Sequence, residues 1–282
     1  MMKLLTFFLV GLSLASCNKE QWFCGDCIEF DYNGTERQYL VHIPNDLPPN
    51  APLVFALHGY TGYAKHVDAA LDLNRVADAN GFAICYPQGS LDDSNTPHWN
   101  ARLALSNTDD IGFLSALAIT LQSEYNLNPN RTFTTGISNG GFMSYTLVAE
   151  APQVFKAAAS VIGTMSGYTW ENRSVISPAP VLQISGTGDN VVPFDGTMST
   201  DNGWGGAPHI HTVMDFWSDL NGCTQTDTIE VSGVTTAYVH SDTVNANAVW
   251  YYEVEGMGHQ VPANGLYGFE TGELIWEFFS NY

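Results

Sequence analysis

The most informative stretch of the chain reads Thr135-Gly136-Ile137-Ser138-Asn139-Gly140-Gly141. It contains the pattern G-x-S-x-G between an apolar segment, residues 131–137, and an amphipathic segment, residues 139–150. Glycines in this pattern permit a sharp turn from a strand into a helix, and the turn exposes the serine hydroxyl at the strand end. A glycine-rich loop with a solvated serine is the alternative. The context favours the first interpretation, so we predict that Ser138 is a nucleophile at a helix N-terminus.

Two candidate partners for Ser138 follow it in the chain, each after a segment that reads as a strand. A serine hydroxyl becomes a good nucleophile only beside a base, and the base needs a carboxylate to orient it. Asp189 ends the stretch Ile184-Ser185-Gly186-Thr187-Gly188-Asp189, and His259 ends Gly256-Met257-Gly258-His259. In proteins with a G-x-S-x-G turn, the catalytic residues follow one another along the chain in the order Ser, Asp, His. We predict a triad of Ser138, His259 and Asp189, with a plain turn as the alternative for Asp189.

Three other histidines compete with His259 for the role of base. The pair His209-Ile210-His211 has a spacing that could hold a metal ion, but no cluster of carboxylates or cysteines accompanies it. We interpret both as surface histidines where a helix begins, and we predict no metal site. His240 lies inside a predicted strand and lacks the glycine-rich approach that precedes His259.

Acyl transfer through a serine also needs two backbone N–H donors aimed at the developing negative charge. Asn139 follows the nucleophile and supplies one donor where the helix begins. The other is expected after the apolar strand 52–57, in the loop His58-Gly59-Tyr60-Thr61-Gly62. We predict Tyr60 as this second donor, with Thr61 as the next choice. The alternative is that His58 and Gly59 only end the strand.

Apolar segments of strand length alternate with amphipathic segments along most of the chain. Strands are predicted at residues 28–32, 37–43, 52–57, 82–86, 131–137, 156–162, 180–185, 226–231, 236–240 and 249–254. Helices are predicted at residues 65–80, 111–125 (capped by Asp110), 139–150, 211–220 and 269–279. Strands that are apolar throughout indicate a mostly parallel central sheet with helices on both faces. Together with the serine turn, this pattern predicts an α/β-hydrolase fold, with residues 28–282 as a single domain.

The N-terminus has the features of an export signal rather than of a folded element. Lys3 precedes an apolar run that is too short to span a bilayer, and the run ends in Leu14-Ala15-Ser16-Cys17. This ending resembles a bacterial lipobox. We predict a lipoprotein signal peptide at residues 1–16, lipidation of Cys17 and a tether at residues 17–27. The alternatives are an ordinary signal peptide with a chance cysteine, or a buried helix.

Composition and charge narrow the classes of partner. The chain carries 9 Lys and Arg against 29 Asp and Glu, and its net charge is −20. A phosphate backbone would be repelled, so we exclude nucleic acid as a partner and expect a neutral or weakly charged substrate. A protein tethered by acyl chains would contact the membrane only through its lipid anchor. We therefore expect it in the bacterial cell envelope, periplasmic or on the cell surface, or outside the cell.

Four cysteines remain after the lipobox, and an oxidising compartment allows them to pair. Cys24, Cys27, Cys85 and Cys223 permit three connectivities, which the sequence does not separate. Cys24 and Cys27 have the CxxC spacing of redox and zinc sites, but no βαβ unit or second CxxC supports that function. A structural disulfide or free thiols are the favoured interpretation, and Cys85 is expected to be an inert buried thiol.

The likeness to a known family extends well beyond the triad. The motifs that carry it, in order, are Ala56-Leu57-His58-Gly59, Tyr86-Pro87-Gln88-Gly89, Trp99-Asn100-Ala101, Asp109-Asp110-Ile111-Gly112-Phe113, residues 136–143, residues 186–193 and Asn221-Gly222-Cys223. From about Ile43 onward the chain resembles the LpqC-like esterases of the polyhydroxybutyrate depolymerase family, which are related to feruloyl and acetylxylan esterases of carbohydrate esterase family 1. The resemblance implies the same triad and neither a metal nor an organic cofactor.

The sequence differs from that family directly after the predicted catalytic histidine, near the expected acyl pocket. Relatives usually carry tryptophan and proline after the catalytic histidine, where this chain has Gln260-Val261-Pro262. This departure weighs against activity on a polymer. We predict that Trp99 and Trp204 bind substrate instead, with a core position as the alternative for Trp99 and a flexible surface loop for Trp204.

These observations predict a lipid-anchored serine hydrolase of carboxylic esters. Its expected substrates are feruloyl or acetyl esters of plant polysaccharide, or polyesters of the polyhydroxyalkanoate type, with the plant esters favoured. A serine peptidase on the same fold and a glycan-binding surface lipoprotein without turnover are the alternatives.

Overall fold

The structure is a computed structural model that describes residues 26–242, 247–263 and 265–282. The expected signal peptide, the lipidation residue Cys17 and Cys24 lie outside the described residues, and the predictions made for them stay predictions. Within the described ranges, no helix combines the length and the apolar character needed to cross a membrane.

The described strands form one sheet with a parallel centre. Their bounds are β1 Ile28–Tyr32, β2 Thr35–His42, β3 Leu53–Leu57, β4 Ala83–Gln88, β5 Thr132–Ile137, β6 Ala157–Val161, β7 Val181–Gly186, β8 Gln225–Ser232, β9 Thr235–Ser241 and β10 Val249–Val254. The strand order is β1-β2-β4-β3-β5-β6-β7-β10-β9-β8. Strands β4, β3, β5, β6, β7 and β10 pair in parallel, and the outer strands pair antiparallel. The predicted mostly parallel sheet is confirmed.

Helices cover both faces of this sheet. They are α1 Val67–Leu71, α2 Leu73–Asn80, α3 Asp110–Glu124, α4 Asn139–Glu150, α5 Gly167–Glu171, α6 Ile210–Leu220 and α7 Thr271–Phe279. Strand β3 shows why the central strands are apolar throughout. Leu53, Phe55 and Leu57 pack into the core shared with α3, α4 and α6, whereas Val54 and Ala56 pack into the core shared with α1, α2 and α7. Both sides of a central strand are therefore buried.

The single helix predicted at residues 65–80 is wrong, because the chain breaks at Asp72. This residue has a left-handed backbone with φ 53°, and α1 ends before it while α2 begins after it. Leu71 and Leu73 are both buried in the same core. Residues two apart point in different directions from a continuous helix, so the break allows both side chains to reach that core.

Asp110 does not cap α3 as predicted. The cap is Asp109, whose Oδ1 accepts a hydrogen bond from the Gly112 N–H at 2.9 Å. Asp110 is buried instead, and its Oδ1 accepts from the Arg37 guanidinium at 2.7 Å. A buried carboxylate requires such a charged partner, which the local sequence does not reveal.

The cysteines are only partly paired. Cys27 is disulfide-bonded, whereas Cys85 and Cys223 are free thiols. Burial raises the pKa of the Cys85 thiol well above its usual value, which disfavours the reactive thiolate. The prediction of an inert buried thiol at Cys85 therefore agrees with the structure.

Candidate active site

The turn between β5 and α4 holds Ser138 in a strained backbone conformation, with φ 53° and ψ −114°. Residues other than glycine rarely adopt a positive φ. Backbone strain of this kind concentrates at functional sites. Gly136 and Gly140 are needed because this turn is tightly packed. A Cβ atom on Gly136 would lie 2.3 Å from the Gly140 carbonyl, and one on Gly140 would lie 2.4 Å from the Leu57 carbonyl oxygen. The G-x-S-x-G pattern therefore reflects close packing of the turn against β3.

Ser138, His259 and Asp189 are joined by two hydrogen bonds at the carboxyl ends of β5, β10 and β7. The Ser138 Oγ lies 2.9 Å from His259 Nε2, and His259 Nδ1 lies 2.7 Å from Asp189 Oδ2. The Asp189 carboxylate is nearly inaccessible, with its side chain 3% exposed. Its second oxygen, Oδ1, accepts from the N–H groups of Val191 and Val192 at 2.8 and 2.9 Å. The carboxylate is thus held in one orientation, with one oxygen directed at the imidazole.

Close contact between two loops brings the histidine to the carboxylate. Gly188 donates its N–H to the Met257 carbonyl at 3.0 Å, and a Cβ atom on Gly186 would lie 2.0 Å from that carbonyl oxygen. Glycine at these positions lets the loop after β10 lie directly on the loop after β7. The positions of Asp189 after β7 and of His259 after β10 do not by themselves bring the two side chains together. Their contact depends on how the two loops pack.

The predicted oxyanion donors Tyr60 and Asn139 both have an N–H that donates to no acceptor within the described residues. The next choice, Thr61, is wrong, because its N–H donates to the Pro97 carbonyl at 2.9 Å. Gly59 packs against the serine turn, and a Cβ atom there would lie 3.5 Å from Ser138 Cβ. Tyr60 and Ser138 also line the same cavity. The two free N–H groups therefore belong to segments that flank the serine hydroxyl.

His58 is buried at the start of the Tyr60 loop and has a defined tautomer. Its Nε2 accepts from the Gly89 N–H at 2.9 Å and from the Gln88 amide at 3.1 Å, so Nδ1 carries the proton. Nδ1 lies 2.7 Å from the Gly59 carbonyl oxygen and donates to it. Burial lowers the pKa of His58 to about 4, against an ordinary value of 6.5. The neutral ring is therefore part of the folded state.

We expect the low pKa of His58 to make the fold less stable in mild acid. Between pH 6.5 and pH 4 the unfolded chain binds a proton at His58 that the folded chain does not, so the free energy of unfolding falls as the pH falls. The loss attributable to this residue is roughly 3 kcal/mol at pH 4. His58→Asn, which keeps a donor near Gly59, should flatten the profile by that amount in urea unfolding. The exposed control His66→Gln should parallel the wild type. A constant difference between wild type and His58→Asn at every pH would contradict the prediction.

A cavity of about 440 Å³ opens beside the serine hydroxyl. Its lining residues are Tyr60, Thr61, Ser138, Val191, Val192, Met198, Ser199, Trp204 and His259. Trp204 forms one wall, and its ring meets the Tyr60 ring edge to face at a centroid distance of 5.2 Å. The Tyr60 hydroxyl donates to Asp92 at 2.7 Å, which fixes that ring. None of these lining side chains is a carboxylate, lysine or arginine, so the cavity suits a neutral, partly apolar group.

Trp99 does not line this cavity, so the prediction that it binds substrate is wrong. It is fully buried in the core shared with α3 and α4. Its indole N–H donates to the His58 carbonyl at 3.0 Å, and this partner keeps the ring behind the loop rather than in the cavity. A motif shows that a tryptophan is present but not which way it faces. Gln260, the residue after His259, is exposed, and its amide donates to the Tyr267 hydroxyl at 2.9 Å.

The remaining histidine candidates take part in other contacts. His209 precedes α6 and accepts from the His211 N–H at 3.1 Å, and His211 Nε2 lies 2.7 Å from Glu253 Oε2. His240 lies in β9 and contacts the Thr226 hydroxyl at 2.9 Å. Across the part of the chain that the structure describes, no group of three histidine, cysteine or acidic side chains could hold a metal ion.

The fold has solved counterparts. An acetyl xylan esterase from Aspergillus awamori matches with a TM-score of 0.64, over 92% of this chain and 100% of its own, at 17% sequence identity. At that identity the likeness concerns the fold, and the protein is an α/β-hydrolase by its sheet, helices and serine turn. Sequence comparison defines the class of protein more narrowly than the fold does. The chain belongs to the Esterase PHB depolymerase family, whose model matches residues 39–227.

Individual relatives match over different shares of their length. NocK of Nocardia uniformis subsp. tsuyamanensis is 33% identical over 58% of this chain and 48% of its own length. Poly(3-hydroxyalkanoate) depolymerase C of Paucimonas lemoignei is 26% identical over 91% of this chain and 66% of its own. Proteins named feruloyl esterase and acetylxylan esterase also match. The chain thus spans about half of the first of these relatives and two thirds of the second.

Proposed function

We propose that this protein is a serine hydrolase of carboxylic esters that works through an acyl-enzyme at Ser138. The observation that carries the proposal is the continuous set of hydrogen bonds from Ser138 Oγ to His259 at 2.9 Å and on to Asp189 at 2.7 Å. The family supports ester hydrolysis as the reaction. A histidine held between a hydroxyl and a buried carboxylate is the arrangement that makes a serine nucleophilic.

The reaction follows from this geometry in two halves. His259 Nε2 takes the proton from Ser138 Oγ while that oxygen attacks the ester carbonyl carbon, and the negative charge moves onto the carbonyl oxygen. The N–H groups of Tyr60 and Asn139 bind this oxyanion. The protonated His259 then donates its proton to the leaving alcohol, and the acyl group stays on Ser138. In the second half water replaces the serine as nucleophile, His259 accepts a water proton, and the acid is released as Ser138 regains its hydrogen.

The cavity supports an ester whose acyl group is neutral and of moderate size. A volume of about 440 Å³ and walls formed by Trp204, Tyr60 and Met198 suit an aryl or short aliphatic acyl group. Relatives named for feruloyl, acetylxylan and poly(3-hydroxyalkanoate) esters agree with that range. Within it, we favour esters of plant polysaccharide over polyesters, because the family that the chain resembles usually carries a tryptophan near the acyl pocket, where this chain has Gln260.

A substrate panel tests the substrate class, with Trp204 as the probe. Trp204→Ala should raise KM for a feruloyl ester about 10-fold, since it removes an aromatic contact with the acyl ring. KM for an acetyl ester should change less than about twofold. Trp276→Ala is the control, because Trp276 stacks on Phe82 and does not line the cavity. An equal change for both esters would contradict a role of Trp204 in acyl recognition, and turnover of hydroxybutyrate esters alone would favour the polyester reading.

Two other functions remain distinguishable by experiment. A serine peptidase on this fold would typically use an acidic group to hold the peptide amine, and none of the residues lining the described cavity is acidic. A glycan-binding lipoprotein without turnover would have no activated serine. A fluorophosphonate probe should label the purified protein at Ser138, and aryl esters should be hydrolysed much faster than matched anilides. Absence of labelling would support the binding protein, and comparable rates on anilides would support the peptidase.

Export and lipidation are part of the proposed function. They rest on the apolar run and the Leu14-Ala15-Ser16-Cys17 ending, which precede the described residues. Acyl chains on Cys17 would hold the hydrolase at a membrane of the cell envelope without a spanning helix. The mass of the mature N-terminal peptide tests this, with the unprocessed Cys17→Ala protein as the comparison.

A further inference from the structure

Trp99 contacts both chain segments that carry the proposed oxyanion donors. Its indole N–H donates to the His58 carbonyl at 3.0 Å, two residues before the Tyr60 N–H. Its backbone is bound by the side chain of Asn139, which carries the other donor. The Trp99 N–H donates to Asn139 Oδ1 at 2.7 Å, and Asn139 Nδ2 donates to the Trp99 carbonyl at 3.0 Å. Trp99 thereby connects the loop after β3 to the first residue of α4.

The Tyr60 N–H belongs to the same peptide group as the Gly59 carbonyl, and Trp99 contacts the peptide group just before it. The carbonyl of His58 is held by the Trp99 indole, and the carbonyl of Gly59 is held by the His58 ring at 2.7 Å and by the Gly62 N–H at 2.9 Å. In a trans peptide the N–H points opposite to the carbonyl of the same unit. Because the Gly59 carbonyl points toward the His58 ring, the Tyr60 N–H points away from that ring.

The indole hydrogen bond is not a general requirement for burying tryptophan in this fold. Trp217 in α6 is also fully buried, yet its indole N–H has no hydrogen-bond partner in the described residues. Both rings fill the same large core. Trp99 differs from Trp217 in its partners. Its indole N–H, its backbone N–H and its backbone carbonyl all form hydrogen bonds with the two segments that carry the Tyr60 and Asn139 donors. Packing alone does not account for three such contacts.

We propose that Trp99 is a positioning residue that holds the two halves of the oxyanion hole at a fixed separation. The inference rests on the proposed ester hydrolysis and deepens it. Oxyanion donors are effective because they are aimed before the charge develops, and small misplacements lower the rate of the chemical step rather than substrate binding. The contacts form a series that runs from the Tyr60 loop to Trp99 and from Trp99 to Asn139. Breaking either link uncouples the same two donors.

Trp99→Phe tests the first link, because it removes the indole N–H and keeps an aromatic ring in the core. On 4-nitrophenyl acetate we expect kcat to fall about 10-fold, which is part of the loss caused by removing a whole donor, and KM to change less than about twofold. Inhibition by phenyl trifluoromethyl ketone should weaken by a similar factor, since its adduct with Ser138 carries an oxyanion. Trp217→Phe is the matched control. It should lower Tm and leave kcat and inhibition unchanged.

Asn139→Ala tests the second link and keeps the Asn139 backbone N–H. It should lower kcat to a similar extent, and it supplies an independent measurement if Trp99→Phe folds poorly. Because the links act in series, the double variant should be no slower than the slower single variant by more than about twofold. Multiplying effects would overturn the proposal. So would an unchanged kcat in Trp99→Phe, or a lower kcat with unaltered affinity for the trifluoromethyl ketone.

The outcome for Trp99 is separable from that for the proposed function. If wild-type protein does not hydrolyse the ester and does not react with a fluorophosphonate, ester hydrolysis is wrong. If wild-type protein is active, Ser138→Ala is inactive and Trp99→Phe matches the wild type, only the positioning role is wrong.

Discussion

Ser138→Ala is expected to abolish ester hydrolysis, with kcat lower by at least about 10⁴-fold. The substitution removes the oxygen that forms the acyl-enzyme and leaves His259 without the hydroxyl 2.9 Å from its Nε2. What remains is substrate binding and the two N–H donors, which give only slow hydrolysis by water. Initial rates on 4-nitrophenyl acetate, together with loss of fluorophosphonate labelling, measure the effect.

Ser160→Ala is the matched control for this loss. Ser160 lies in β6, next to the serine turn, and its buried Oγ has no hydrogen-bond partner in the described residues. Removing that hydroxyl should leave kcat within about twofold of the wild type. Substantial hydrolysis by folded Ser138→Ala would mean that another residue or bound water carries the reaction.

Asp189→Asn should lower kcat by about 10⁴-fold while leaving the positions of the three side chains nearly unchanged. The reason lies in the second carboxylate oxygen. Asp189 Oδ1 accepts from the N–H groups of Val191 and Val192, so the amide oxygen of asparagine takes that place and its NH₂ faces His259. His259 Nδ1 must then accept a hydrogen bond and carry no proton. The proton moves to Nε2, which can no longer accept the one from Ser138.

The measurement for Asp189→Asn is kcat at neutral pH, accompanied by thermal unfolding to show that the fold is kept. Asp195→Asn is the control, since Asp195 is exposed on the same loop and its carboxylate accepts hydrogen bonds from the Thr197 N–H and hydroxyl. It should behave as wild type. A loss of less than about tenfold in folded Asp189→Asn would show that Asp189 does not set the tautomer of His259.

The sequence led to the three residues of the site because their positions follow from local patterns. Gly136 and Gly140 indicate the turn at Ser138. The strands that precede Asp189 and His259 can be recognised in the sequence as apolar segments that end at glycines. The parallel sheet then brings those strand ends to one edge. Trp204 is also predicted to bind substrate, and it lines the cavity.

The predictions that are wrong concern side chains whose direction depends on distant partners. Trp99 is predicted to bind substrate but lies behind the cavity, because the His58 carbonyl accepts its indole N–H. Thr61 was a candidate donor, but Pro97 accepts its N–H. Asp110 is predicted to cap α3, but it pairs with Arg37 across the fold. In each case the partner is far away in the chain, so no local pattern contains the information.

Local sequence therefore determined the order of the strands and of helices α3, α4, α6 and α7, the turn at Ser138 and the chain order of its partners, because backbone propensity, apolar periodicity and glycine placement act over a few residues. The tertiary structure decided which N–H groups beside Ser138 have no acceptor among the described residues, which aromatic rings reach the cavity and how His58 and Trp99 contact the loop beside Ser138. Those properties arise when segments from different parts of the chain compete for the same buried hydrogen-bond acceptors, and that competition is settled only by packing.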